Sequence, residues 1–512
     1  MTTRLLLLLL AYLTLSTCGR APQTADTTAT APRPNILVIL ADDMGFSDIG
    51  TYGGEIETPN LDRLAARSRK YRHFYNAARC CPTRAALLTG RYPHAAGMGG
   101  MVSGVGSEPE PGPYQGYLRT DVATIAERLV ASGYRTWISG KWHVGERPEH
   151  WPHRRGFERG FGLISGASSY YTIRTDQDRV RQMYLDSLPW TPPVSGFYAT
   201  HAYSDFAVER VRERADDERP FFGYLAYTAP HWPLHAPEAT VQKYLKRYAA
   251  GWDSLRSRRF YEQAELGLLT PEHELPPMDD DLPSWAETTD RETWVRRMAV
   301  YAAMVEEMDR GIGRVLDALE QIGQLDNTLV LFFSDNGGCA ESVVRRKLHR
   351  PGSVIGQPGS YEAYERPWSQ VSNVPFRRYK AWVNEGGIAT PLLLSWPAGA
   401  LEPGWTDAVG HVVDVAPTCY AAAGLGGVSV GRSLLDEAAG ERTLFWEHQG
   451  QQAVRRGDWK LLRNSPEGAW ELYDLAADPT EGEDLARARV EQVEELAEVW
   501  AAWFAEQVPE AR

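Results

Sequence analysis

The strongest signal along the chain is a set of short, unbroken apolar runs, each closed by polar or acidic residues. Ile36-Leu37-Val38-Ile39-Leu40-Ala41 ends in Asp42-Asp43-Met44-Gly45, and Thr328 to Phe333 ends in Ser334-Asp335-Asn336-Gly337-Gly338. Runs of this length without alternation are what strands buried on both faces require. Tyr134 to Ser139, Phe221 to Tyr227 and Pro391 to Trp396 read the same way. Helical patterns lie between them. Thr58 and Pro59 open a predicted helix to about Lys70, Thr as N-cap and Pro at the first helical position. A second pattern covers roughly 121–131, and Cys80 opens another that Gly90 closes. The longest helix is predicted from Trp294 to Ile322, where Trp294, Met298, Tyr301, Met304, Met308, Ile312, Val315 and Leu319 form one stripe.

Strands alternating with helices predict an α/β fold, a large mostly parallel sheet flanked by helices. Ligands of such sheets gather beyond the carboxyl ends of the strands, where both acidic clusters fall. After about Leu425 the pattern changes. Short alternating segments at 443–446, 452–455, 459–462 and 470–473 precede a helix with Val490, Val493, Leu496, Trp500 and Trp503 on one face. A catalytic domain over 34–425 and a smaller C-terminal domain over 426–512, antiparallel sheet plus helix, are therefore expected. Segments 99–119, 165–215 and 232–292 are poorly periodic and read as loop-rich insertions near the site. There is no internal repeat.

A chain of 512 residues can bury a large core. Its net charge of −13 disfavours a nucleic-acid partner. It does not exclude an anionic substrate, but it requires the site to carry its own positive charge. At the N-terminus Arg4 precedes the apolar run Leu5 to Leu15, too short to span a bilayer. Leu15-Ser16-Thr17-Cys18-Gly19 resembles a bacterial lipoprotein cleavage box with Cys18 as the lipid-bearing residue. Residues 1–18 thus read as a signal peptide and 19–33 as a flexible tether. The expectation is an exported bacterial protein, periplasmic or membrane-anchored through lipid alone, with ordinary secretion as the alternative.

Asp42-Asp43 and Asp335-Asn336 supply hard oxygen ligands of the kind that suits Ca²⁺ or Mg²⁺ and not Zn²⁺. Taken alone, each pair is also ordinary turn chemistry. Cys80-Cys81-Pro82-Thr83-Arg84, continued by Leu88-Thr89-Gly90-Arg91, changes the picture. It resembles the signature of the formylglycine-dependent sulfatases, arylsulfatase-like members of the alkaline phosphatase superfamily; the competing reading is a buried structural thiol. The resemblance continues through Gly140-Lys141-Trp142-His143-Val144-Gly145, Pro230-His231-Trp232-Pro233, Phe376 to Lys380, Glu385 to Pro391, His411 to Thr418 and Leu472-Tyr473-Asp474-Leu475.

The resemblance implies that a maturation enzyme oxidises Cys80 to formylglycine, the nucleophile. It implies one Ca²⁺ held by Asp42, Asp43, Cys80, Asp335 and Asn336. Arg84, one helical turn after Cys80, and Lys141 would neutralise sulfate oxygens. His143 would act as base in the second step, and His231 and Lys380 would flank the departing oxygen. His235 has no counterpart in the family pattern and reads as structural or substrate-facing. Arg377 and Arg378 read as salt-bridge partners, and 411–418 as architecture. If Cys18 carries lipid and Cys80 is oxidised, Cys81, Cys339 and Cys419 allow at most one disulfide.

The implied activity is sulfuric ester hydrolysis on a sulfated small molecule or glycan, by an arylsulfatase-like or carbohydrate sulfatase. A phosphonate or phosphate-diester hydrolase with the same nucleophile is the alternative, and a non-catalytic glycan-binding lipoprotein a second. Tyr170, Tyr171, Trp190, Trp232, Trp285 and Trp368 could stack on a sugar or aryl ring, or belong to the core.

Overall fold

The computed structural model describes residues 33–103, 109–173, 181–270, 272–343, 348–427, 429–436 and 440–509. The predicted signal segment, Cys18 and the tether up to residue 32 lie outside the described residues.

The apolar runs form the middle of a ten-stranded sheet. In chain order its strands are β1 (Asn35–Asp42), β2 (Arg69–Tyr75), β3 (Arg135–Lys141), β4 (Arg159–Leu163), β5 (Met183–Leu185), β6 (Leu188–Trp190), β7 (Phe221–Pro230), β8 (Thr328–Ser334), β9 (Leu392–Ser395) and β10 (Gly404–His411). Their spatial order is β10-β2-β9-β8-β1-β7-β3-β4-β5-β6. From β8 through β1, β7 and β3 to β4 every neighbour is parallel. β9 runs antiparallel between β8 and β2, and the β5–β6 hairpin extends the far edge.

Among the described residues ten α-helices flank the sheet: α1 (Pro59–Ala65), α2 (Cys80–Thr89), α3 (Ile125–Ala131), α4 (Ala199–Arg212), α5 (Glu238–Tyr248), α6 (Gly251–Glu265), α7 (Arg291–Gln321), α8 (Glu365–Ser372), α9 (Glu385–Ile388) and α10 (Val415–Ala422). The two-residue period of a strand sends its side chains to opposite faces. Leu37, Ile39 and Ala41 of β1 join one cluster with residues of α1, α4, α5 and α7. Ile36, Val38 and Leu40 join the other with residues of α2, α3 and α10. An apolar residue at every position is what this double burial demands.

Several elements differ from the expectations. α1 stops at Ala65, and Arg69–Tyr75 is a strand because β9 and β10 pair with it. Thr58 does not cap α1 with its side chain; its Oγ1 accepts the Gly50 N–H at 3.0 Å. α3 begins at Ile125, where Thr124 and Glu127 form a reciprocal capping box. The supposed loops 165–215 and 232–292 contain the β5–β6 hairpin, α4, α5 and α6.

The C-terminal part is a four-stranded antiparallel sheet in chain order, β11 (Thr443–His448), β12 (Gln451–Arg456), β13 (Trp459–Arg463) and β14 (Glu471–Asp474). Helix α11 (Val490–Gln507) buries Leu496, Trp500 and Trp503, while Val490 stays exposed. Trp446 Nε1 of β11 donates to the Asn76 carbonyl at 2.8 Å, just upstream of the α2 N-terminus. Lys460 of β13 reaches Glu385 and Glu481, each at 2.7 Å. Arg33–Arg512 accordingly form one compact unit. Cys80, Cys81, Cys339 and Cys419 are free and buried, so no disulfide forms among the described residues. No described helix is long and apolar enough to cross a membrane.

Candidate active site

Neighbouring parallel strands end on the same side of the sheet, so β8, β1, β7 and β3 bring Asp335, Asp42, the approach to His231 and Lys141 to one edge. Asp42 closes β1, and Asp43 follows with φ 65°, a left-handed turn that Asp tolerates better than most residues. Lys141 closes β3. The preceding Gly140 has φ 112°, and a Cβ there would lie 1.8 Å from the Ala226 carbonyl oxygen of β7, so no other residue fits. His143 adopts φ 58° two residues on. Non-glycine residues held in this region mark places where the surrounding structure imposes a geometry.

Cys80 is the first residue of α2, whose far end is closed by Gly90 at φ 65°. The free N–H groups of that first turn carry partial positive charge toward the carboxylates. α10 packs behind α2, so the His411 to Thr418 segment is architecture, as expected. Lys380 arrives on the loop before α9. Its backbone N–H bonds to the Gly338 carbonyl at 3.1 Å, which ties that loop to the turn carrying Asp335 and Asn336.

Every residue expected in the site is brought there, and each is at most 5% exposed. Each basic group has its own carboxylate. Lys141 Nζ lies 2.6 Å from Asp42 Oδ2, and Lys380 Nζ 2.8 Å from Asp43 Oδ2. Arg84 donates from Nε and one terminal nitrogen to Asp335 Oδ2 at 3.0 and 2.7 Å, and from the other to the Lys141 carbonyl at 2.9 Å. Arg84 therefore clamps the turn after β8 to the end of β3. Lys380 also faces His231 Nε2 at 3.3 Å. His231 Nδ1 lies 2.6 Å from the Trp232 carbonyl, which can only accept, so Nδ1 carries the hydrogen and Nε2 is the open position.

Burial, reinforced by Asp335, pushes the Asp42 carboxyl well above its ordinary range, and burial also raises Asp335. The Cys80 thiol is drawn well below its ordinary value by a hydrogen bond from Cys81 and, against burial, by Lys141, His143 and Lys380. Burial lowers His143 to about 3, and burial with Lys380 lowers His231. Burial alone would lower the Lys380 ammonium, yet Asp43 beside it holds it well above the ordinary lysine value.

The donor set suits a hard divalent cation. Asp42 Oδ1 and Asn336 Oδ1 are buried oxygens with no hydrogen-bond partner. Asn336 directs its amide hydrogens to Asp43 Oδ1 at 2.7 Å and the Gly337 carbonyl at 2.9 Å, which leaves its own oxygen bare. An orphaned buried oxygen is costly unless something positive meets it. Oxygen-only ligation is the Ca²⁺ and Mg²⁺ pattern. Asp42, Asp43 and Asp335 are balanced by Arg84, Lys141 and Lys380, so a divalent ion would leave the pocket positive for an entering anion.

Two contributors were not legible. Cys81 Sγ contacts His143 Nε2 at 3.3 Å, and burial pushes its thiol well up. Ser334 Oγ accepts the Met44 N–H at 3.0 Å, joining the two acidic turns. Adjacency to Cys80 and Asp335 is the only sequence signal either residue offers. Of the ambiguous residues, His235 is structural, accepting from the Tyr170 N–H at 3.3 Å and bonding the Ser360 carbonyl at 2.9 Å. Arg378 pairs with Asp279 at 3.3 Å as expected, whereas Arg377 donates to the Glu481 carbonyl and the Tyr473 hydroxyl. Tyr170 and Trp368 are core, and Trp285 packs edge-on against Trp252.

A buried cluster in which fixed cations surround a helix N-terminus at the carboxyl edge of an α/β sheet is the arrangement of an enzyme acting on an anionic ester. The chain belongs to the sulfatase family, whose model matches residues 34–425. An uncharacterized sulfatase of Schizosaccharomyces pombe is 35% identical over 93% of this chain and 94% of its own length. The arylsulfatase of Klebsiella aerogenes is 35% identical over 77% of this chain and 87% of its own. The solved structure of Ps i-CgsB in complex with k-i-k-neocarrahexaose matches with a TM-score of 0.69 and 25% identity, covering 92% of each chain. The protein is thus a sulfatase, an enzyme that hydrolyses sulfate esters.

Proposed function

We propose that this sulfatase cleaves sulfate monoesters through a hydrated formylglycine derived from Cys80, with one Ca²⁺ held by Asp42, Asp43, Asp335 and Asn336 beside residue 80. The observation that carries the reading is the convergence, within one buried pocket, of Cys80, the bare oxygens of Asp42 and Asn336, and the cations Arg84, Lys141 and Lys380. A thiol or single hydroxyl that accepted a sulfuryl group would leave a stable adduct. A hydrated aldehyde carries two hydroxyls on one carbon, so one takes the sulfuryl group and loss of the other's proton expels sulfate and restores the aldehyde. Bound Ca²⁺ would act as Lewis acid and template for the sulfate oxygens.

The chain's own groups manage charge and protons. Lys141, Arg84 and the α2 N-terminus offset the ester's negative charge in a site that excludes water, where fixed charges act most strongly. Lys380 and His231 Nε2, 3.3 Å apart, share the proton that the departing alkoxide must receive as its S–O bond breaks. His143, neutral because of its burial, is the base for the second hydroxyl. A sulfated glycan or small sulfated alcohol fits this reading, and the carbohydrate complex of Ps i-CgsB lends it support. Export, with lipid on Cys18, belongs to the same reading and rests on residues 1–33.

Mass spectrometry of the peptide around residue 80 tests the proposal. The expected product is an aldehyde that reacts with a hydroxylamine probe, in an amount that tracks specific activity. A fully active preparation whose residue 80 is an unmodified thiol would end it.

A further inference from the structure

Beside the buried catalytic groups lies a second, partly open cluster. Arg79 is the N-cap residue of α2, immediately before Cys80. Its guanidinium donates to Glu341 Oε1 at 2.8 Å, and Trp232 Nε1 donates to Glu341 Oε2 at 2.9 Å. The Trp232 ring stands 4.5 Å from the His231 ring and 5.9 Å from the Tyr361 ring. The Arg79 and Glu341 side chains are 19% and 33% exposed, against 6% for His231 and 3% for Lys380. Glu341 lies within electrostatic reach of Lys380, Asp43 and His231, and Arg79 within reach of Cys80. The cluster therefore joins the closed pocket to solvent on the side of His231 and Lys380, where the alcohol departs.

We propose that Arg79, Trp232 and Glu341 form the subsite for the alcohol part of the substrate, and that it takes an uncharged hydroxylated ring in preference to a ring bearing a second anion. The subsite depends on the sulfatase reading given above. Its chemistry follows from the pairing. Arg79, otherwise a ready partner for a carboxylate or sulfate, already has its charge offset by Glu341. The Glu341 carboxylate keeps lone pairs free beyond the two bonds it accepts, and these suit hydroxyl donors. The half-buried Trp232 indole adds apolar surface beside that carboxylate. A second sulfate or carboxylate on that ring would instead meet the Glu341 charge at close range.

The test compares 4-nitrophenyl sulfate with the same ester carrying a carboxylate on the ring, in wild-type enzyme, Glu341→Gln and Arg79→Gln. Dividing each variant's kcat/KM ratio for the two esters by the wild-type ratio cancels the intrinsic reactivity of the leaving groups. Glu341→Gln should favour the carboxylated ester by about 10-fold, mainly through KM, and Arg79→Gln should shift the ratio the other way. Trp232→Phe, which keeps a ring but loses the N–H that holds Glu341, should move it in the same direction as Glu341→Gln by a smaller factor. Ratios within twofold of wild type in all three variants overturn the subsite while leaving the sulfatase reading intact. Inactivity of the mature wild-type enzyme toward both esters and toward a panel of sulfated sugars overturns the proposal together with the reading on which it stands.

Discussion

Lys460 offers the most quantitative check on how the C-terminal sheet supports the site. Its ammonium is fully buried and lies 2.7 Å from both Glu385 and Glu481, themselves at most 4% exposed. Glu385 opens α9, on the segment that follows Lys380. Lys460→Met removes the cation and leaves two carboxylates facing each other without water. Breaking a buried pair from one side costs about 3–5 kcal/mol. With unfolding entropy of about 2.1 cal/mol/K per residue, the unit Arg33–Arg512 should lose about 1 °C of Tm per kcal/mol. The expected fall in Tm at pH 8 is therefore about 3–5 °C.

The pH dependence has a definite sign. Burial, with Glu385 adding to it, raises the Glu481 carboxyl above its ordinary value, and Lys460 opposes that rise. A carboxyl raised on folding adds stability below its unfolded pKa and loses that contribution as pH climbs through the folded value. Without Lys460 the folded value rises further, so the penalty grows with pH. The Tm deficit at pH 5 should be no more than about half of that at pH 8. Adding Glu481→Gln to the Lys460→Met background should restore about 1–3 kcal/mol by removing one of the stranded charges. Thermal unfolding of the three proteins at both pH values reads all of this. A deficit that is equal at the two pH values, or no recovery in the double variant, would show that Lys460 does not hold Glu385 and Glu481 as a buried charge triad.

Two further outcomes are expected. Chelation of Ca²⁺ should abolish turnover and lower Tm; at a free ion concentration 100 times Kd the stabilisation lost is about 2.7 kcal/mol, and Asn336→Ala should remove most of the Tm response to added Ca²⁺. A Cβ at Gly166 would fall 2.4 Å from the His143 ring, so Gly166→Ala should displace the proposed base and slow turnover by at least about 10-fold while the protein stays folded. With His143 in the proposed second-step role, intact-mass measurement during turnover should find sulfated enzyme accumulating in that variant, and unchanged turnover would count against that role.

The sequence by itself determined the elements whose requirements are local and absolute. Strands buried on both faces need an apolar side chain at every position, so β1, β7 and β8 could be read as unbroken runs, and the acidic pairs at the ends of β1 and β8 marked the functional edge. The opening and closing of α2 were equally legible, because Gly90 must adopt φ 65°. β2 was not, since Arg69–Tyr75 carries three Lys or Arg residues and a His and has no strand pattern until β9 and β10, more than 300 residues away in sequence, pair with it. α4 and α5 were obscured because their buried stripes, such as Val241, Tyr244 and Tyr248, are short and lie among charged and Pro-flanked segments.

Only the tertiary structure decided which charge meets which. Arg84 and Asp335 are 251 residues apart, Lys141 and Asp42 99 apart, and Lys380 and Asp43 337 apart, yet each pair is in contact. No local pattern encodes such pairings, because they follow from the order in which parallel strands are laid into the sheet. The same holds for Glu341, whose contact with Arg79 exists only because the turn after β8 and the start of α2 converge on one edge.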